Sequence, residues 1–269
     1  MQKINYQQES EKITNWIRKV FFDSGMQKMI VGLSGGIDSA VSCTLASQAI
    51  GKEHIIPVLL PYSSISNEGV EDAEKIIDFL GIPKEQVKEI NIQKGVDAIL
   101  NPLSPPYQGE ASYLLDKGGL GRVRTGNVMA RVRMIYLFDL AKQYRGLVCG
   151  TENKSEHYLG YFTRFGDEAS DMEPIRHLYK TDVWGMGKYL GLPEKIITKA
   201  PTAGLWQGQT DEDELGFSYQ QADEVLRYFI DEKLSKEEII TKGIAENIVE
   251  KVLQRVKANE FKHHLPFVY

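Results

Sequence analysis

Three glycines, two serines and one acid fall within eight residues in the run Gly32-Leu33-Ser34-Gly35-Gly36-Ile37-Asp38-Ser39. Glycine tolerates positive φ and has no Cβ, so such a turn can aim several backbone N–H groups at one point. A helix over residues 40–50 begins where the turn ends, and a helix N-terminus favours an anion. Ser34 and Ser39 add hydroxyl donors, so the run suits a phosphate group. It is neither GxxxxGK[ST], which carries a lysine, nor GxGxxG. Asp38 stands where those loops have no acid. Its carboxylate would repel a bound phosphate unless a cation lay between them, which makes it a natural Mg2+ ligand. A plain glycine turn capped by Asp38 is the alternative.

Three later segments carry further chemistry. GNVMARVRM, residues 126–134, lies on a long helix and presents Arg131 and Arg133. Either could grip a carboxylate or phosphate through a bidentate fork, or simply face solvent. GTENKSE, residues 150–156, and YLGYFTRFGD, residues 158–167, begin where a strand ends, the edge at which open α/β sheets bind ligands. There Thr151 can face a nucleotide and Glu156 can reach the metal held by Asp38. Gly160 and Gly166, with aromatics between them, suggest a shaped loop. Finally, PIRHLYK ends at Lys180 and is followed by Pro201-Thr202; a lysine ammonium is a point charge suited to phosphate.

The SGGIDS core of the first run resembles the pyrophosphate-binding loop of the N-type ATP pyrophosphatases, which cleave ATP between the α and β phosphates and form an adenylate. That likeness alone leaves the acceptor open. GTxNKSE, LGYxTxxGD and the Lys180–Thr202 pair, in this order and spread over residues 32–262, resemble the ammonia-dependent NAD synthetases. The resemblance implies ATP-dependent amidation of deamido-NAD by ammonia, giving NAD, AMP and pyrophosphate through a NAD-adenylate. It also implies that residues 32–39 hold the triphosphate, and that Asp38 and Glu156 bind Mg2+. Thr151, Lys180 and Thr202 would contact ATP or its products. Arg131, Arg164, Asp171 and Lys262 would contact deamido-NAD, and Asp167 would lie beside the ammonia site. A homodimer with the substrate site at its interface is implied too, with the helix over residues 125–144 as the candidate contact. Two positions depart from the pattern. Arg164 stands where many relatives have lysine, which keeps the charge and changes the geometry. Phe261 precedes Lys262 where some relatives have histidine. The glutamine-dependent type carries a nitrilase-like domain before the loop, for which the 31 residues preceding Gly32 leave no room.

These residues need a frame to position them. Strands are expected over residues 28–33, 54–60, 87–92 and 146–150, alternating with helices over 6–23, 40–50, 68–80, 125–144 and 181–190. That alternation predicts an α/β fold with a doubly wound parallel sheet, and the resemblance makes it adenine nucleotide alpha hydrolase-like. Helices over 219–230, 236–241 and 245–258 form a helical C-terminal tail. Residues 101–121 read as a surface loop, with a lid or dimer contact as the alternative. Residues 201–216 read as a flexible loop, whose acidic part over 208–216 either closes over the adenylate or is simply solvated.

Composition sets the outer limits. With 269 residues, 42% hydrophobic and 26% charged, the chain is an ordinary globular protein, expected to be one domain over residues 1–269. The formal charge of −5 argues against a nucleic-acid-coating surface. No apolar run reaches the ~18–20 residues of a membrane span, and the polar N-terminus is not a signal peptide. Cys43 and Cys149 form no CxxC and read as buried reduced thiols, which points to the cytoplasm. A tRNA-thiolating enzyme would need a reactive cysteine and a basic surface. A non-catalytic ATP sensor would give no reason for Glu156, Asp167 and Lys180 together.

Overall fold

The computed structural model describes residues 4–62, 67–100, 120–205 and 208–264. Four strands, β1 (Lys28–Gly32), β2 (Ile55–Leu59), β3 (Lys88–Glu89) and β4 (Gly146–Cys149), form one parallel sheet in the order β3-β2-β1-β4. The described residues also form α1 (Tyr6–Ser24), α2 (Ile37–Ile50), α3 (Asn67–Leu80), α4 (Gln93–Leu100), α5 (Leu120–Tyr144) and α6 (Lys154–Leu159). Beyond these come α7 (Lys180–Tyr189), α8 (Glu194–Thr198), α9 (Asp211–Leu215), α10 (Tyr219–Leu226), α11 (Lys236–Thr241) and α12 (Glu246–Asn259).

Alternate residues of a strand point to opposite faces, and here each face has its own core. Met29, Val31, Ile55, Leu59 and Cys149 pack with α1, α2, α3, α7 and α8. Their neighbours Ile30, Ile56, Val58 and Val148 pack on Leu140 and Ala141 of α5. Helices on both faces of a parallel sheet make the doubly wound arrangement. The sequence crosses from β1 to β2 on one side and returns to β4 on the other. The C-terminal ends of β1 and β4 therefore flank the switch point where such sheets bind ligands.

The C-terminal helices bury a separate apolar cluster, with Tyr219, Val225 and Leu226 of α10 against Val249 and Val252 of α12. Leu159 of α6 and Tyr179, just before α7, belong to the same cluster, so the tail braces the loops that follow β4.

The expected strand over 87–92 contracts to Lys88–Glu89 at the sheet edge. The chain runs on beside β2, with Ile90 N–H donating to Leu59 O and Ile92 N–H to Pro61 O at 2.9 Å, but Pro61 has no N–H to return. Helix α5 starts at Leu120, earlier than expected, and α4, α6 and α8 are additional short helices. Most of the irregular stretch 101–121 lies outside the described residues. Within 201–216, residues 211–215 are helical rather than loop. Thr210 caps α9 through the Asp213 N–H, and Asp211 and Leu215 turn inward. Among the described residues no helix is long and apolar enough to cross a membrane.

Candidate active site

The glycine run leaves β1 and turns into α2. Gly35 has φ +78°, and a Cβ there would lie 2.5 Å from the Gly69 carbonyl oxygen, so both conformation and space require glycine. Gly36 is the N-cap of α2 and makes no side-chain cap. The first helical bond runs from Ala40 N–H to Gly36 O at 3.1 Å, which leaves the amides of Ile37, Asp38 and Ser39 as the orphan donors of a helix start. Ser39 Oγ donates to Gly36 O at 3.1 Å and accepts from Ser34 N–H at 3.3 Å, which fixes the turn. Together these donors make a receptor for an anion.

Lys180 lies across from this receptor. It is the first residue of α7 and is only 2% exposed. Its Nζ donates to Asp38 Oδ2 at 2.6 Å and to Glu156 Oε1 at 3.0 Å. Burial alone would lower the ammonium's pKa, but Asp38, Glu156 and Asp211 outweigh it and hold the pKa above its ordinary value. Burial also pushes the Glu156 carboxyl up to about 8; Lys180 opposes that rise, and Asp38 and Asp211 add to it. Asn153 N-caps α6 by accepting from Glu156 N–H at 3.0 Å, and its Nδ2 donates to Asp38 Oδ1 at 2.9 Å. Asp211 Oδ2 accepts from Tyr219 OH at 3.0 Å, while its Oδ1 is buried without a hydrogen-bond partner. The Lys180 backbone N–H donates to Ser155 Oγ at 2.8 Å, and Ser155 Oγ donates to buried Asp223.

Asp38 and Glu156 offer hard oxygen donors to one point, the Lys180 ammonium, and the unpartnered Asp211 oxygen belongs to the same electrostatic group. These donors fit Mg2+. Among the described residues no three His, Cys, Asp or Glu side chains converge tightly enough to hold an ion alone. Mg2+ commonly completes its shell with phosphate and water, so a two-carboxylate site suits it.

A second group surrounds residues 160–171. Phe165 takes φ +62°, uncommon for an aromatic residue and compatible with a backbone constrained for a purpose. Asp167 Oδ1 accepts from Thr163 N–H at 2.9 Å. Asp167 is reached by solvent, yet protein crowds it. Lost hydration raises its pKa, the backbone hydrogen bonds from Thr163 and Asp167 oppose this, and Glu152 adds to the rise. Lys262 Nζ donates to Gly160 O at 2.6 Å and Phe162 O at 2.8 Å, so the C-terminal segment pins this loop. Burial lowers the Lys262 pKa. Arg131 NH2 donates to Arg164 O at 3.1 Å, and Arg164 NH1 to Phe261 O at 3.4 Å. Asp171 Oδ2 accepts from Val148 N–H at 2.7 Å, tying the loop to β4.

The fold thus gathers Asp38, Glu156 and Lys180 into one group and Asp167, Arg131, Arg164, Asp171 and Lys262 around one loop. Thr151 lies two residues beyond the end of β4, after Gly150. Thr202 is exposed and its Oγ1 accepts from Gly204 N–H at 3.1 Å. Arg133 is half-buried, with Nε donating to Leu60 O at 3.2 Å, a structural use of its guanidinium. Three members of the site have no role that the sequence assigns. Asn153 is signalled by Asn-x-x-Glu spacing, a helix-start pattern. Asp211 hides in an acidic stretch that looks solvated, although Thr210 followed by acids is a helix-start signal as well. Tyr219 carries no signal beyond being apolar at a helix start.

A family model described as NAD synthase matches residues 9–266. An ammonia-dependent NAD(+) synthetase of Pyrococcus horikoshii is 43% identical over 267 residues, covering 99% of this chain and 95% of that protein. The enzyme of that name from Chlorobium phaeobacteroides is 40% identical over 265 residues, covering 98% and 90%. Among solved structures, an NMN synthetase from Francisella tularensis superposes with TM-score 0.82 at 34% identity and 99% coverage of both chains. An ammonia-dependent NAD synthetase from Campylobacter jejuni gives 0.77 at 31% identity, covering 99% and 100%. A match over nearly every residue, on a sheet whose ligand edge carries an anion receptor, a buried lysine and paired carboxylates, leaves one assignment: the chain belongs to the NAD synthase family.

Proposed function

We propose that this chain amidates deamido-NAD with ammonia at the expense of ATP, releasing NAD, AMP and pyrophosphate through a NAD-adenylate, at the site built from the residues above. One observation carries the reading beyond family membership. Lys180 is buried between Asp38 of the glycine loop and Glu156 of α6, at the sheet edge where ligands bind. A nicotinate carboxylate is a poor acyl donor, because oxide is a poor leaving group. Its attack on the α-phosphorus of ATP replaces that leaving group with AMP. The loop amides and the serine hydroxyls would hold the charge that develops on the departing pyrophosphate. Lys180 would supply a fixed positive charge beside it, and Thr151 and Thr202 would contact the nucleotide. When bound, Mg2+ on Asp38 and Glu156 would neutralise phosphate charge.

Arg131, Arg164 and Lys262 would orient the dinucleotide, with Asp171 among its polar contacts. Asp167 would bind ammonium and take its proton, so that neutral ammonia attacks the adenylate carbonyl. Its raised pKa favours the second of these tasks. Residues 208–216 would exclude water. One contact and one electrostatic link support this: Tyr161 OH donates to Glu214 Oε2 at 3.1 Å, and the Lys180 ammonium lowers the Asp211 pKa against the rise from burial. The whole chain would act as one domain. A cytoplasmic homodimer with the substrate site at its interface belongs to the same proposal, and exposed Val123 and Ile135 on α5 offer it apolar contacts.

The test is AMP formation from ATP with ammonium and, in turn, deamido-NAD, nicotinate mononucleotide, tRNA and no acceptor. The mononucleotide is included because of the likeness to an NMN synthetase. Turnover fastest with deamido-NAD supports the proposal. Turnover confined to the mononucleotide would move the acceptor, and ATP cleavage independent of both would reject it.

A further inference from the structure

Asp72 of α3 is fully buried, yet three lysines converge on it. Lys75 Nζ lies 3.0 Å and Lys195 Nζ 2.8 Å from Oδ1, and Lys199 Nζ lies 2.8 Å from Oδ2. Glu68 sits at the rim, 4.0 Å from Lys195 and 3.9 Å from Lys199. Burial alone would raise the Asp72 pKa, but hydrogen bonds from Lys195, Lys199 and Lys75 hold it well below the usual carboxylate range. Three ammonium groups against two carboxylates leave an excess of positive charge.

The position of the cluster suggests a use for that excess. A Cβ on Gly35 would lie 2.9 Å from Asp72 Cβ and 3.2 Å from Ala73 N, and one on Gly69 would lie 3.0 Å from Ser34 O. The first turns of α3 therefore touch the back of the glycine loop. Lys199 ends α8 and leads into the segment that carries Thr202. One buried carboxylate thus joins the loop, α3 and the C-terminal end of α8.

We propose that Asp72 is a positioning residue that braces the Gly35 turn and parks Lys195 and Lys199 behind it, where their charge strengthens retention of pyrophosphate. The inference rests on the reading of residues 32–39 as a phosphate receptor. It adds the charge of Lys195 and Lys199, held by Asp72 where α3 touches the loop, to that of Lys180, which reaches the loop through Asp38. Low local dielectric would make that field felt through the thin glycine turn, and added salt would weaken it at the exposed Lys195.

The experiment is titration calorimetry of the full chain with inorganic pyrophosphate and, separately, AMP, both with Mg2+. It compares wild type, the Lys195→Ala/Lys199→Ala double variant, Lys199→Arg and Asp72→Asn. The double variant removes two partly exposed side chains and should fold. It should bind pyrophosphate about tenfold more weakly with AMP affinity unchanged, and Lys199→Arg should stay close to wild type. Asp72→Asn should weaken pyrophosphate binding in the same direction. Wild-type binding of pyrophosphate together with unaltered binding by the double variant would overturn the inference and leave the phosphate loop intact. Equal loss of AMP and pyrophosphate affinity would reduce Asp72 to a fold contact. No wild-type binding of pyrophosphate and no AMP formation would overturn the phosphate-loop reading itself.

Discussion

Replacing Lys180 with methionine tests the centre of the site, because methionine keeps length and loses charge. Lys180 Nζ hydrogen-bonds Asp38 at 2.6 Å and Glu156 at 3.0 Å in a setting only 2% exposed. Stripping one partner from a buried ion pair costs about 3–5 kcal/mol, because the other charge is left uncompensated. Two features place the loss near the lower end. Burial already pushes the Glu156 carboxyl up against the pull of Lys180, so without the ammonium it would take up a proton rather than stand as an uncompensated charge. Asp38 keeps 17% side-chain exposure, so water partly solvates it. For a domain of this size about 3 kcal/mol corresponds to a melting-temperature drop of about 6–12 °C. The lysine's pKa is raised in the folded state, so its contribution is complete at neutral pH and is lost only as pH climbs through that raised value. The assay is thermal unfolding by circular dichroism at neutral pH, in EDTA and in millimolar Mg2+. Mg2+ should raise the variant's Tm more than that of wild type, since a divalent cation can take the place of the lost charge. A variant melting within about 2 °C of wild type in EDTA would refute the claim that the ammonium holds these carboxylates.

Three further outcomes follow from the same geometry. Asp167→Asn should lower amidation by about 10²–10⁴ while deamido-NAD-dependent exchange of pyrophosphate into ATP survives; equal loss of both would make Asp167 a loop-shaping residue. Glu173 is pushed up to about 7 by burial, so its proton stabilises the folded state fully at pH below the ordinary carboxylate value and less as pH rises through 7. Wild type should therefore lose up to about 3 kcal/mol between pH 5 and 8, a loss that Glu173→Gln should largely abolish; parallel pH profiles would rule out Glu173 as the cause. Glutamine should not serve as nitrogen donor for this chain. The Cys43 thiol is fully buried with its pKa pushed up to about 12, and Cys149 is likewise buried and raised, so neither is a nucleophile. NAD formation from ammonia-free glutamine by the purified chain would contradict this.

Local chemistry makes much of the site legible along the chain. The glycine run, GTENKSE and Lys180 announce themselves because phosphate binding demands residues without Cβ, a helix start and point charges at short spacing. The strand and helix alternation is equally local, since side-chain direction repeats every two residues in β1 and about every 3.6 in α1. What the sequence does not determine is the partnership among distant residues. Lys180 lies 142 positions from Asp38, and its ammonium reaches that carboxylate only because the sheet sets β1 beside β4 and the C-terminal helices press α7 onto α6. Asp211 looks solvated in sequence because four acids follow Thr210, yet one turn of helix rotates it inward while its neighbours stay nearer solvent. Asp72 sits on the buried face of an amphipathic helix and becomes meaningful only when α3 and α8 bring three lysines to it. Spacing and residue type are properties of a segment and can be read along the chain. Burial and charge pairing are properties of the volume the segments enclose, and only the folded packing decides them.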